Sequence, residues 1–471
     1  WVLRAAGDYE NQNGRDPLPA WNEAVASARE AIARDGENAQ AFRHLGTALQ
    51  VISAAEEKKG GDPRERLVEA IAAYEKAVAL SPNDASIYNN LGNTYGVKAD
   101  WERFHGVDPR PSLNASIQVF QKSLELDPRL PLAWNNMAIS VKDRAGWEAS
   151  RGLPEAATSL DEAIGYYQKA LELNPTYLYA TNNLGAVYMQ KARLFIDTGA
   201  GDPVPFLDLA EKLCTKATEM NPKYNSPRII LGATYLQRAA WARGQGEDPT
   251  PMRDRAIASF RVAAEITKGN NPAPFEELAG LHLAKARDAF EKGADPAADL
   301  TSARESAERA LSISPKGSGI LQRLGEIAAL EGRILAARGK SPEAAFAKAE
   351  ELLSRSVSEN EGRGFAFTAF AELARRKAEW LLARGRTEEA AKEIARGLER
   401  TDDALKTNPR NGDALLKRGT LRLLEARATA EPGARRKAAE SAIELLSRAA
   451  AAKPVLKRDA EALKEEARKA F

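Results

Sequence analysis

The sequence predicts an all-α fold, a right-handed α-solenoid or superhelix of about nine helical hairpins, and three observations carry that expectation. First, an apolar anchor returns at Leu45, Leu91, Met137, Leu184, Leu231, Leu278, Leu324 and Phe370, with Arg418 in the last slot. Successive spacings are 46, 46, 47, 47, 47, 46, 46 and 48 residues. A period of this length and regularity marks units that bury their apolar faces by stacking on their neighbours. Second, each unit shows helical spacing twice. Tyr88, Leu91, Gly92 and Tyr95 follow i, i+3, i+4, i+7 on one helix face, and Ser116, Phe120 and Ser123 mark a second stripe that ends at Pro128. Third, a Gly-x-Asp-Pro phrase recurs between the two helices of most units.

Taken in order, residues 1–37 read as a partial hairpin. The array then runs from residue 38 to 452, with units starting near 38, 84, 130, 177, 224, 271, 317, 363 and 411. Within each unit the first helix carries the anchor. The second carries small residues around an aromatic, as in Ala70, Tyr74 and Ala77 before Pro82, or Ala163, Tyr167 and Ala170 before Pro175. The connecting phrase appears at Gly14–Pro17, Gly60–Pro63, Gly106–Pro109, Gly199–Pro203, Gly246–Pro249 and Gly293–Pro296. Glycine suits the left-handed residue that ends a helix, aspartate accepts from the first unpaired N–H groups of the next, and proline fits the first helical position. Trp101, Trp147, Trp241 and Trp380 each follow their anchor by ten residues and are expected to pack the helix arms. Residues 453–471 are expected to form a charged, solvated capping helix.

The pattern aromatic-x2-Leu-Gly-x2-Tyr, then Ala-x3-aromatic, then Pro resembles the tetratricopeptide repeat, whose usual unit is about 34 residues. The proline-to-anchor spacing stays at nine (Pro82 to Leu91, Pro128 to Met137). The surplus of roughly a dozen residues per unit therefore lies between the two helices and lengthens both. Elongated units joined by Gly-x-Asp-Pro look most like the arrays attached to some bacterial serine/threonine protein kinases. That resemblance implies the regulatory or sensor region of a larger signalling protein. The sequence starts at Trp1 in what reads as the tail of a helix, so a fragment with its kinase before Trp1 is the expectation. No kinase motif occurs in the sequence itself.

Composition narrows the function classes. With 68 basic and 66 acidic residues the net charge is +2, which gives no large field for nucleic-acid or membrane binding. No apolar run reaches the ~20 residues that span a bilayer. A single cysteine, Cys214, excludes an internal disulfide and falls in the aromatic slot of its helix, where a buried inert thiol is expected. His44, His105 and His282 are the only histidines and lack metal-ligand spacing, although His44 occupies a groove-facing slot. No catalytic residue, cofactor or metal is expected. Compartment and oligomeric state stay open, with the cytoplasm favoured.

The candidate site is built from asparagine. SIYNNLGNTY at Ser86–Tyr95, WNNMAISV at Trp134–Val141 and TNNLGAVY at Thr181–Tyr188 place Asn89, Asn135 and Asn182 in one slot, with Asn90, Asn136 and Asn183 in the next. In tetratricopeptide arrays this stripe of the first helix lines the concave surface. The second slot resembles the asparagine ladder of the O-linked GlcNAc transferase array, which implies that Asn90, Asn136 and Asn183 bind the backbone of an extended peptide. An amide offers two donors and an acceptor, which suits that task. The carboxylate clamp for chaperone C-termini matches at Asn93 and Asn136. Its cationic slots hold Asn89, Tyr179 and Asn183, so a clamp is rejected. The other reading of the asparagines is that they bond between neighbouring helices and hold the stack. The expected function is a non-catalytic scaffold that binds a protein or peptide segment through Asn89, Asn90, Asn93, Asn135, Asn136, Tyr179, Asn182 and Asn183. The alternatives are a substrate-selecting array of an enzyme whose catalytic domain lies elsewhere, and a purely structural assembly module. Beyond about residue 270, Ala, Arg and Glu replace the asparagines.

Overall fold

The computed structural model describes residues 2–12, 15–58, 61–359 and 364–469. Gly14 and Gly60 of two connecting phrases, Arg363 at the start of the eighth unit, and Trp1, Ala470 and Phe471 lie outside the described residues. Among the described residues every regular element is a helix. α1 (Val2–Gln12) and α2 (Leu18–Arg34) precede a series of pairs: α3 (Ala39–Lys58) with α4 (Arg64–Leu80), α5 (Ala85–Phe104) with α6 (Arg110–Leu126), and α7 (Pro131–Ser150) with α8 (Ala156–Leu173). Next come α9 (Leu178–Thr198) with α10 (Val204–Met220), α11 (Ser226–Gln245) with α12 (Thr250–Ile266), and α13 (Pro272–Glu291) with α14 (Ala297–Ile313). The series ends with α15 (Ser318–Ala337) and α16 (Glu343–Glu359), α17 (Gly364–Leu382) and α18 (Thr387–Thr407), and α19 (Gly412–Ala428) and α20 (Pro432–Ala452). A 3-10 turn at Pro454–Leu456 leads into α21 (Lys457–Arg468). The chain divides into two compact units, Trp1–Trp147 with Thr158–Ala180 and Glu148–Ala157 with Thr181–Phe471.

Helix lengths show where the surplus residues go. First helices such as α3, α5, α11, α13 and α15 have 20 residues, and second helices such as α4, α6, α10 and α12 have 17. The connection between them is tight. Oδ1 of Asp16, Asp62, Asp108, Asp202, Asp248 and Asp295 accepts the backbone N–H two residues on, at 2.9–3.2 Å. The proline between adopts helical dihedrals, as at Pro63 (φ −82°, ψ −5°), so the chain turns straight into the helix. Gly106, Gly199, Gly246 and Gly293 have φ between +68° and +83° and close the first helix. Gly152, Gly339 and Gly385 do the same work at +68°, +72° and +71° where the Asp-Pro part of the phrase is missing. The same period continues through all seven.

Packing within a pair depends on a glycine opposite an aromatic. A Cβ on Gly92 would lie 2.9 Å from the Phe120 ring, and one on Gly232 would lie 2.6 Å from the Phe260 ring, so each ring rests directly on the partner backbone. Both rings are buried. The small residues flanking the ring do more than permit approach: Ser116 Oγ donates to the Gly92 carbonyl at 2.7 Å, and Ser123 Oγ donates to the Ala85 carbonyl at 2.9 Å. Trp101, in the arm of α5, stacks on His105 at 4.2 Å and carries the Arg64 guanidinium at 4.8 Å. At the weak last anchor, Arg418 is half-buried, with Nη1 3.2 Å from Thr401 Oγ1.

Cys214 is buried in the aromatic slot of α10, and burial pushes its thiol up to about 12. A Cβ on Gly185 would sit 2.6 Å from its sulfur, so the thiol rests directly on the α9 backbone. Thiol labelling of the folded protein is therefore expected to run at the rate of local opening and to become immediate in denaturant. Rapid labelling under native conditions would contradict this packing. The C-terminal helix turns its charges outward, with Lys457, Asp459, Glu461, Glu465 and Glu466 exposed, and docks through the buried Ala460 and Ala467, the latter with Leu463 packing against Leu423 and Ala442.

Candidate functional site

In the first unit, α5 and α7 present the asparagines in two depths. Asn89 is 9% exposed and Asn135 is 3% exposed, whereas Asn90, Asn93 and Asn136 are half-buried. The structure links three of them. Asn135 Nδ2 donates to Asn136 Oδ1 at 3.1 Å, and Asn136 Nδ2 donates to Asn89 Oδ1 at 3.4 Å, so the chain of amides passes from one hairpin to the preceding one. Each link uses one of the two N–H groups of its amide. The buried members thereby orient Asn136 at the surface. Asn90 and Asn93 stand beside this chain on the same helix, and Thr94 Oγ1 donates to the Asn90 carbonyl at 2.9 Å.

In the second unit the motif returns on α9. Asn182 is 2% exposed and donates from Nδ2 to Asn183 Oδ1 at 3.2 Å and to Ser226 Oγ at 3.2 Å. Its Oδ1 is buried without a hydrogen-bond partner among the described residues. Asn183 is half-buried.

Tyr179, one of the expected binding residues, is 54% exposed, and the structure adds Leu132, in the same repeat slot 47 residues earlier and 50% exposed. Leu132 precedes Asn136 by four residues and so stands on the same helix face, one turn away. Tyr179 meets Tyr177 edge-on at 6.1 Å, and Trp134 lies 5.7 Å from Tyr166. Exposed apolar side chains thus border the polar amides. The period that found the asparagines would have found Leu132 had it been applied to the solvent-facing slots.

First helices of the later hairpins carry charge instead. Arg323 Nη1 and Gln322 Nε2 both donate to Glu326, at 3.0 and 2.8 Å. Burial alone would raise Glu326, but the Arg323 charge and these bonds hold it below the usual carboxylate range. Glu277, with less compensation, is pushed above that range by burial. Glu372 gathers Arg375 at 2.6 Å, Arg376 at 2.8 Å and Lys417 at 3.1 Å. Burial opposes its charge, and these cations outweigh burial and hold the carboxyl well below the ordinary range. Among the described residues no cluster of three or more His, Cys, Asp or Glu could hold a metal ion, and no helix is long and apolar enough to cross a membrane.

Residues 64–97, which take in α4 and most of α5, match the family described as TPR repeat. That match spans one repeat of the array, and the helix pairing it covers recurs along the rest of the chain. Among solved structures, a thermophilic TPR protein of Thermus thermophilus, TTC0263, is similar with 19% identity and a TM-score of 0.37, covering 52% of this chain and 99% of that one. Yeast Tom70 is 14% identical with a TM-score of 0.38, covering 99% of this chain and 95% of that one. The human IFIT1 dimer with m7Gppp-AAAA is 15% identical with a TM-score of 0.43, covering 93% and 80%. No curated protein matches the sequence.

Proposed function

We propose that the first compact unit binds an extended segment of a protein partner along the first-helix face that carries Asn90, Asn93 and Asn136. The observation that carries this reading is the pairing of an oriented amide with an exposed apolar side chain one turn away, Asn136 with Leu132. Amides can hydrogen-bond a peptide main chain without regard to its side chains, while an apolar border takes alternate side chains of that peptide. Asn89 and Asn135 serve by holding Asn136 in place. Tyr179 extends the apolar border. Asn182 and Asn183 repeat the amide pairing in the second unit.

The test is selection of binders from a random peptide library, followed by photo-crosslinking from p-benzoylphenylalanine installed in place of Tyr179 or of Val68. Val68 lies on a second helix and is equally exposed, at 59%. Crosslinks from position 179 and none from position 68 are the expected result. Equal yields from the two positions would overturn the assignment of the face.

A further inference from the structure

The second unit meets itself between segments far apart in sequence. Asn408, in the turn after α18, accepts from its own turn at Arg410 N (2.9 Å) and donates from Nδ2 to the Ser150 carbonyl at 3.1 Å, across 258 residues. One hairpin further on, the same turn slot holds Lys453 and Pro454. Lys453 Nζ lies 2.7 Å from Asp413 Oδ2 and 3.3 Å from Asp197 Oδ1. Pro454 Cγ sits 2.6 Å from where a Cβ on Gly199 would be, and Val455 Cγ2 sits 2.5 Å from the corresponding point on Gly244.

Two features set this seam apart from a chance touch. It follows the repeat: Asn408 faces the loop of Gly152, and the next turn slot faces the loop of Gly199, which is the next left-handed glycine. It also depends on Gly244, which stands within the last turn of α11, a place where alanine is the better helix former. A glycine there suits the close approach of Val455. At the same time the contacts are few, small and partly ionic, and the hairpins of a solenoid draw their cores from nearest neighbours. Breaking the seam exposes no hairpin core.

We propose that Lys453–Val455 is a releasable clasp that holds the second unit closed, so that its release lets the hairpins from α9 to α20 spread while each remains folded. The experiment places spin labels at Glu247→Cys and Asp459→Cys, both exposed and on opposite sides of the seam, in the full chain with Cys214→Ala. The parent should give one short, narrow distance. Gly244→Leu adds bulk at the seam with a good helix former and should lengthen the distance by at least about 10 Å, the thickness of a helix, and broaden it. Lys453→Gln should open the seam partially and Lys453→Arg should keep it closed. Helix content and amide protection of α9 to α20 should stay at the parent level throughout. An unchanged distance in Gly244→Leu would overturn the clasp. Loss of protection across α9 to α20 would overturn it equally, because the contact would then belong to the folding core.

Discussion

Replacing Phe120 by alanine should weaken the α5–α6 hairpin by about 3–5 kcal/mol, the range for removing a buried aromatic ring whose space cannot be refilled. The ring is buried and its neighbour is Gly92, which has no side chain with which to collapse into the void. Amide exchange of α5 and α6 is the suitable readout, because a long array opens hairpin by hairpin rather than in one step. The glycine supplies a further check. Gly92→Ala should be harmful in the parent, where its Cβ would meet the ring at 2.9 Å, and harmless or helpful beside Phe120→Ala. A double-mutant cycle should therefore show strong coupling. Additive effects would mean that the ring does not rest on this glycine.

The second large effect is expected at Glu372. Three cations converge on its carboxylate from α17 and α19, so Glu372→Gln leaves Arg375 and Arg376 to share Glu379 and removes the carboxylate that Lys417 pairs with. The site is half-buried, and the expected cost of about 1–3 kcal/mol falls between the values for exposed and for fully buried pairs. It should appear in the protection of α17 and α19. The pH dependence has a definite sign. The folded carboxyl is held well below its ordinary value of 4.5, so its contribution is complete above that pH and is lost as pH falls from there through the lower folded value. In Glu372→Gln that part of the acid sensitivity should vanish. A variant with the parent's acid profile would show that the cations do not depend on this carboxylate.

Much of the fold was legible because each of its rules is local. The anchor period, the helical stripes and the Asp-Pro cap all act within a few residues, and the structure places them in the elements they announce. Gly152, Gly339 and Gly385 fall outside a phrase defined by Asp-Pro after the glycine, whereas the backbone requires only the left-handed residue. The asparagine slots were legible as a repeated feature. Their division into buried supports and half-buried surface groups was not, since adjacent positions on a helix differ by only about 100° and both slots border the buried anchor. Least legible was the seam: Lys453, Pro454 and Gly244 carry no apolar pattern, and the residues they meet across it, Asp197, Gly199 and Val455, lie hundreds of residues away. The charges of the capping helix were legible as a solvated face, whereas the two alanines through which it docks carry no apolar stripe that would announce them.

The central claim is that the amide face of the first unit recognises a peptide main chain. Its most direct test is the affinity of several library-selected peptides of unrelated sequence for the parent and for Asn90→Ala/Asn136→Ala, with helix content and melting temperature matched. Two hydrogen-bonding amides at about 1 kcal/mol each predict a loss of roughly 30-fold, similar for every peptide. Unchanged affinities would contradict the account. A loss confined to one peptide sequence would contradict it too, because recognition would then lie in side chains and not in the main chain.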